Sequence, residues 1–184
     1  MCIACRKRAS NDNMIPLGVS PGGSLLVGPR CIHEPISGKK VWVCPSTPCV
    51  DKVSKRPHLL TRASHTDAID VSQIKENVRS LLEAEWQSSL KIATRQGLIR
   101  SGMSIFQSKD TENFIGFLFS SDASDKTEPL ISINFTGFKT QLSHTNKACL
   151  GALIGKGPRS VVGLRRGQAT RRLIVQLQRS ASLG

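Results

Sequence analysis

The sequence predicts an α+β protein in which a small N-terminal domain is followed by a larger α/β domain. Residues 1–62 are rich in Cys, Pro and Gly and hold only short apolar runs. Later residues alternate apolar positions at helical spacing with continuous apolar runs of strand length, a pattern that favours helices packed on a buried sheet. A length of 184 residues fits either one ordinary domain or two small ones. We therefore expect two domains of mixed structure.

The charge divides along the chain as well. The 26 Lys and Arg residues outnumber 13 Asp and Glu, which gives a net charge of +13. Residues 1–62 carry a net +7 (10 basic, 3 acidic), residues 63–128 a net −3 (7 basic, 10 acidic), and residues 129–184 have 9 basic side chains and no acidic one. Solvated surface charge is the simplest interpretation of any single Lys or Arg. The overall balance nevertheless favours polyanionic partners, nucleic acid first.

The sequence shows neither a membrane span nor a signal peptide. No apolar run approaches the roughly 18–20 residues that a span requires, and the N-terminus has no apolar segment of the secretory type. Recurring apolar clusters argue against disorder throughout the chain. We expect a cytoplasmic protein without a membrane partner.

In the first domain, turn residues and short apolar runs predict two strands and a helix. The Pro-Gly-Gly turn at 21–23 introduces a strand at 24–27, and the Gly-Lys-Lys at 38–40 introduces a second strand at 41–43. Residues 50–63 have helical character, but Pro57 must interrupt the helix because proline lacks a backbone N–H.

The remaining chain begins with a polar segment that we interpret as a linker, residues 64–77. A long helix then follows through Ala93, with Gly97 as its C-terminal stop. The other predicted elements are a helix at 103–108, a strand at 114–120, a helix cap at 122–125, a strand at 130–135, a helix or strand at 148–154, and a basic tail from 156 with a helical centre at 173–175.

Four of the six cysteines form two pairs, Cys2-x2-Cys5 and Cys44-x4-Cys49. Thiolates at such spacings can close a tetrahedral zinc site, which would stabilise a small domain with little core. The alternative is four reduced thiols, some of them simply buried. Disulfides are disfavoured because no signal peptide is evident. The sequence therefore predicts zinc as the candidate cofactor.

Residues 1–63 resemble the bacterial YlxR family. CIACR (2–6), GKKVWVCP (38–45) with Cys49, and KRPHLLTRA (55–63) stand where the family has C-x-x-C-R, G-R-G-A-[YW]-[VL]-C and a basic helix ending near L-x-R-A. The family's Arg-Gly is Lys39-Lys40 here. The family has further residues before the first cysteine pair, so we expect its first strand to be absent. The resemblance implies an α+β nucleic-acid-binding domain.

Residues 78–155 are similar to the kink-turn-binding ribosomal protein superfamily, in the form fused to YlxR in alphaproteobacteria. LKIATRQG (90–97) with RSG (100–102), SSDAS (120–124) and LSHTNK (142–147) stand where the superfamily has LA-x-KAG-x-x-x-SG, A-x-DAS and LG-x-x-x-G/N-[RK]. The resemblance implies an α/β/α sandwich that binds RNA by shape. MSIF (103–106) replaces the Asn-Glu-x-x-Lys that reads a kink-turn, so kink-turn specificity is not expected.

Residues predicted to contact nucleic acid are basic side chains and one glycine at a helix start. Scarce aromatics, 4% of the chain, argue against base stacking, so phosphate contacts should dominate. The candidates are Arg6, Lys39, Lys40, Lys52, Lys55, Arg56, Arg62, Lys91, Arg95, Arg100, Gly102 and Lys147.

An enzyme is not expected. The four histidines lie in different segments, and the sequence contains neither a G-x-S-x-G nor an H-E-x-x-H motif. The sequence predicts a non-enzymatic protein that binds structured RNA, in translation or RNA processing. Two alternatives stay open: a DNA-binding regulator or nucleoid-associated protein, and an adaptor whose acidic middle segment docks a basic partner.

Overall fold

The computed structural model describes residues 1–67, 69–102, 105, 113–124, 126, 129 and 135–183. Within them the chain is a mixed α+β protein with six helices, seven strands and two sheets. It divides into two compact units whose boundaries differ from the predicted ones. The N-terminal unit comprises Met1–Glu85 together with Leu177–Gly184, and the C-terminal unit comprises Trp86–Gln176. The described residues contain no helix long and apolar enough to cross a membrane.

The N-terminal unit contains a three-stranded antiparallel sheet in the order β2-β1-β3. After a 3-10 turn at Asn11–Asn13, its elements are β1 (Ile15–Val19), β2 (Leu25–Val27), α1 (Arg30–His33), β3 (Ser37–Val43), α2 (Thr47–Lys55), α3 (His58–Ser64) and the first part of α4 (Ile74–Arg95). The predicted interruption at Pro57 is confirmed, because Arg56 and Pro57 separate α2 from α3.

The sequence analysis did not predict the central strand β1. Its sequence is IPLGV, and Pro and Gly both disfavour strands. In the structure Leu17 pairs with Val27 on one side and with Val41 on the other. Pairing with two neighbours and burial of the apolar side chains overcome the weak local preference.

Residues 64–77 do not behave as a linker. Ile69, Val71 and Ile74 are buried in the same apolar cluster as strand residues Leu17 and Val43. The prediction was wrong because the segment is mostly polar, and these three apolar side chains are too few to predict burial from the sequence. The N-terminal unit therefore extends through this segment into α4.

The long helix α4 and its stop are confirmed. Along α4, buried side chains recur every three or four residues, which is one face of a helix. Gly97 has φ 69°, and the Leu98 N–H donates to the Ala93 carbonyl at 3.0 Å, the six-to-one bond of a Schellman ending.

The C-terminal unit is built on a four-stranded sheet in the order β4-β7-β5-β6. Its strands are β4 (Ile99–Ser101), β5 (Phe114–Ser120), β6 (Phe138–Leu142) and β7 (Val161–Arg165), and its further helices are α5 (Lys147–Leu153) and α6 (Gln168–Ala181). The strand expected at 114–120 is confirmed, and the apolar segment near 148–154 is a helix.

The structure corrects the predicted basic tail from residue 156. β7 lies inside the sheet, where it pairs antiparallel with both β4 and β5, and its Val162 and Leu164 are fully buried. The helical centre expected at 173–175 is confirmed as part of α6. Of the predicted helix at 103–108 only Ile105 is described, and of the strand at 130–135 only Phe135; Asp125 of the predicted cap also lies outside the described residues.

Candidate metal centre and basic surface

Two segments bring four cysteines together in the N-terminal unit. Cys2 lies in a parallel bridge to Trp42 of β3, and Cys5 follows in the next turn. Cys44 comes directly after β3, and Cys49 lies in the first turn of α2. Strand β3 thus places its own terminal cysteine beside the first pair, and α2 closes the cluster.

The four Sγ atoms lie within 4.8 Å of one another, and Cys5 Sγ is 3.7 Å from Cys44 Sγ. A tetrahedral site with zinc–sulfur bonds of about 2.3 Å requires sulfur–sulfur separations of about 3.8 Å. The cluster therefore fits a tetrahedral metal ion after contraction of its longest edges by about 1 Å. All four thiols are free, so no disulfide competes for them.

Backbone hydrogen bonds hold the cluster. The Cys44 N–H donates to Cys2 Sγ at 3.4 Å, and the Arg6 N–H donates to the Cys2 carbonyl at 2.9 Å. Arg6 has φ 63°, the left-handed conformation that lets the chain turn back after the first pair. Lys52 Nζ donates to the Ala4 carbonyl at 2.8 Å and so ties this turn to α2.

Burial and these contacts shift the pKa values of the thiols in opposite directions. Burial raises the pKa of Cys2, but hydrogen bonds from the backbone N–H groups of Cys5, Cys44 and Ala4 outweigh it and lower the pKa to about 7. Burial raises the pKa of Cys44, and the Cys2 thiolate beside it raises it further. Burial also raises the pKa of Cys49. Cys2 is thus stabilised as a thiolate, the form that binds metals.

The loop that carries the second cysteine pair is held by a segment near residue 180. The Ser182 hydroxyl donates to the Pro45 carbonyl, and the Thr47 N–H donates to the Ser182 carbonyl at 3.2 Å. Leu183 is buried in the apolar cluster of the N-terminal unit. No feature of the sequence connects this segment with the cysteines, because the two are separated by 137 residues.

The basic candidates of the N-terminal unit are mostly exposed. Arg6 follows the cysteine turn, and Lys52, Lys55, Arg56 and Arg62 lie on α2, on α3 or between them. Among these, the Lys52 ammonium already has a carbonyl partner, Ala4, so its first role is to hold the cysteine turn.

Lys39 and Lys40 lie on β3, where the register with β1 shifts. Lys39 is exposed, whereas Lys40 is half-buried and near enough to Cys31 to oppose, by its charge, the rise in the pKa of that buried thiol. The two lysines are therefore not equivalent.

In the C-terminal unit, one edge of the sheet gathers several polar groups. β4 and β5 both run antiparallel to β7, and β5 runs parallel to β6. The carboxyl ends of β4, β5 and β6 therefore meet at the same edge, where β7 begins. In open α/β sheets, ligands usually bind at such an edge.

We call the groups at this edge the sheet-edge cluster: Ser101, Gly102, Asp122, Lys147 and Arg159. Arg159 Nε donates to Ser101 Oγ at 3.3 Å, and its backbone N–H donates to the Lys147 carbonyl at 2.8 Å. The Lys147 N–H donates to Asp122 Oδ1 at 2.8 Å. Gly102 has φ 96°, and apart from its chain neighbours no heavy atom of the described residues lies within 4 Å of where a Cβ would be. Asp122, which belongs to the predicted helix cap, ties the turn after β5 to α5.

The structure brings Gly102 and Lys147 to the sheet-edge cluster and adds Arg159, which the sequence analysis did not select. The other candidates lie elsewhere. Arg100 donates to the carbonyls of Gly97 and Ile99, toward the amino end of β4. Lys91 and Arg95 are exposed and one turn apart on α4.

No family model matches this sequence, and no curated protein matches it. Among solved structures, one described as a protein with unknown function from Bacillus halodurans is similar over 52% of this chain and 98% of its own, with 23% identity and a TM-score of 0.46. At that TM-score the similarity carries no functional argument. Its description names neither the YlxR family nor the kink-turn-binding superfamily, so both resemblances stay predictions.

Proposed function

We propose that this protein is a non-enzymatic RNA-binding protein whose N-terminal unit is ordered by a zinc ion. The observation that carries the nucleic-acid assignment is that the candidate basic residues of its surface lack acidic partners in the described part of the chain. Within the described residues, ion pairs join Arg30 to Glu34, Lys75 to Asp51, Arg79 to Glu76 and Arg179 to Glu85. None of the basic residues that the sequence selects as nucleic-acid contacts is in such a pair.

Unpaired exposed cations repel one another unless an anion lies between them. A phosphate backbone supplies anions at regular spacing, and counterion release on binding adds to affinity. The exposed positions on α2, α3 and α4 therefore support contacts to phosphates. The resemblance to YlxR and to the kink-turn-binding superfamily favours RNA over DNA, with an α/β/α sandwich as the second domain and a role in translation or RNA processing.

Zinc is the metal that the donor set favours. Four thiolates in a tetrahedral arrangement select Zn²⁺ over metals that prefer oxygen ligands. When bound, the ion supplies a structural cross-link between the first cysteine turn and the loop after β3. Because the ligands must be reduced cysteines, the proposal includes a reducing compartment, the cytoplasm.

Two measurements test the proposal. Metal analysis of protein purified without added zinc is expected to give one zinc ion per chain; well-folded protein without metal would end the zinc assignment. Titrations on a structured RNA and on duplex DNA, each at two salt concentrations, are expected to show tighter binding to RNA with a steep salt dependence.

The same titrations separate the alternatives. Equal affinity for RNA and DNA, with equal salt slopes, would favour the DNA-binding regulator or nucleoid-associated protein. An absence of binding to either nucleic acid would favour the protein-interaction adaptor.

A further inference from the structure

Five exposed arginines lie around the sheet edge opposite the sheet-edge cluster. At this opposite edge β4 and β5 begin, β7 ends and α6 starts. We call this set the arginine edge: Arg95, Arg100, Arg166, Arg171 and Arg172. Of these, only Arg95 and Arg100 were selected from the sequence. The other three fell in the segment that was interpreted as a tail.

Backbone contacts bring the two turns of this edge together. The Arg165 N–H donates to the Leu98 carbonyl at 2.8 Å, and a Cβ added to Gly167 would lie 2.5 Å from Leu98 Cδ1. The turn after α4, which Arg95 and Arg100 flank, is therefore packed directly against the turn between β7 and α6. Arg166 is anchored by its N–H, which donates to the Asn113 carbonyl at 3.1 Å.

The charge of this edge has no acidic counterpart in the described residues. Among the described residues of the C-terminal unit, Asp122 is the one carboxylate, and it lies at the sheet-edge cluster. Asp110 and Glu112 precede Asn113 in the sequence and lie outside the described residues. Arg171 and Arg172 are the fourth and fifth residues of α6, near its N-terminal end, where the helix dipole adds positive potential.

All five cations are arginine, and the planar guanidinium can donate two parallel hydrogen bonds to one phosphate. Solvated surface charge alone gives no reason for exposed arginines of two turns that pack together to lie at one edge of the sheet. We propose that the arginine edge is a phosphate-binding surface of the C-terminal unit, which contacts the backbone of RNA. This inference rests on the proposed RNA-binding function and extends it to a surface that faces away from the sheet-edge cluster.

The test uses the full chain, a fluorescein-labelled RNA hairpin and anisotropy titrations between about 50 and 200 mM salt. The triple variant Arg166→Gln, Arg171→Gln and Arg172→Gln removes three exposed charges. If each contacts one phosphate, at about 0.7–0.9 per contact, the log–log salt slope falls by about 2–3. The loss of affinity between the two salt concentrations is then about 20- to 40-fold smaller than in wild type.

A matched control removes three cations that already have acidic partners: Arg30→Gln, Lys75→Gln and Arg79→Gln. Its net charge equals that of the triple variant, so any general loss of electrostatic attraction is the same in both. Circular dichroism should show an unchanged fold in the triple variant, since its three side chains are exposed.

The outcomes separate the two proposals. A wild-type protein that does not bind the hairpin overturns the RNA-binding function and this inference together. A wild-type protein that binds, with the triple variant indistinguishable from the control, overturns the arginine edge alone. Replacement by lysine at the same three positions should retain the slope but weaken affinity, because lysine keeps the charge and loses the paired hydrogen bonds. Inorganic phosphate that competes as well as RNA would show an adventitious anion surface and also overturn the proposal.

Discussion

Gly38→Ala should destabilise the N-terminal unit by more than its size suggests. Gly38 has φ 70°, a conformation that costs a residue with a Cβ about 1–2 kcal/mol. An added Cβ would also lie 2.0 Å from the Ser64 carbonyl oxygen at the end of α3. That oxygen belongs to the backbone and cannot rotate away, so α3 must shift by about 1 Å, and such overpacking costs about 1–3 kcal/mol. The expected total is about 2–5 kcal/mol.

Gly23→Ala is the matched control. Gly23 has φ 79°, in the turn between β1 and β2, but no other atom lies within 4 Å of an added Cβ. This variant carries the conformational cost without the overlap, so it should lose about 1–2 kcal/mol. The difference between the two variants, about 1–3 kcal/mol, isolates the contact between β3 and α3.

The assay is urea unfolding followed by the fluorescence of Trp42 on β3. A Trp86→Phe background removes the second tryptophan, which belongs to the C-terminal unit. The unfolding free energy should be highest for wild type, lower for Gly23→Ala and lowest for Gly38→Ala. Equal stability of the two alanine variants would refute the reasoning, because the close approach of Gly38 to α3 would then contribute nothing.

Three further predictions concern the thiols and the basic surface. Cys49→Ser should reduce bound zinc from one per chain to a small fraction and lower the melting temperature, measured by metal analysis and thermal unfolding. The double variant Lys91→Ala and Arg95→Ala should lower the log–log salt slope for RNA by about 1.4–1.8, from about 0.7–0.9 per lost phosphate contact. Burial raises the pKa of Cys31 from 9.0 to about 11. The thiol therefore ionises at lower pH in the unfolded chain than in the folded one. Its contribution to stability is fully present below about pH 9 and is lost as pH rises through 11, so wild type should lose roughly 3 kcal/mol relative to Cys31→Ala over that range.

Each of these has its own control. Cys149→Ser changes an exposed cysteine outside the cluster and should retain zinc; equal loss of zinc in both serine variants would contradict the four-cysteine site. Lys75→Ala removes a lysine that pairs with Asp51, and its salt slope should stay near that of wild type. Parallel stability curves for wild type and Cys31→Ala between pH 9 and 11 would show that Cys31 ionises normally.

The local elements were predictable wherever sequence pattern and burial agree. Strand β5, helix α4 and the break at Pro57 follow from apolar runs, helical spacing and the chemistry of proline. Strand β1 was not predictable, because IPLGV has weak strand preference and gains its stability from two partners. Strand β7 was not predictable for a related reason. The basic residues around Val161–Arg165 suggested a solvated tail, whereas the strand forms because it pairs with both β4 and β5.

The candidate sites divide in the same way. Cysteine spacing identified the four thiols, because ligand chemistry is a property of residue type. Their convergence required β3 to end beside Cys2 and α2 to begin there, and the Ser182 contacts to that loop had no local signal. The basic residues were likewise identifiable from composition, but only the fold shows that Arg95 and Arg100 lie toward the sheet edge opposite Gly102.

The sequence by itself determined the mixed fold class, the long amphipathic helix, the four cysteines that could bind a metal ion and the large excess of positive charge. These depend on residue type and on spacing within a few turns of chain. Only the tertiary structure decided that residues 69–74 belong to a core, that β7 is an inner strand, and that arginines around two distant turns share one edge. The physical reason is that burial and strand pairing join residues far apart in sequence, and their free energy outweighs the local preferences on which a sequence pattern depends.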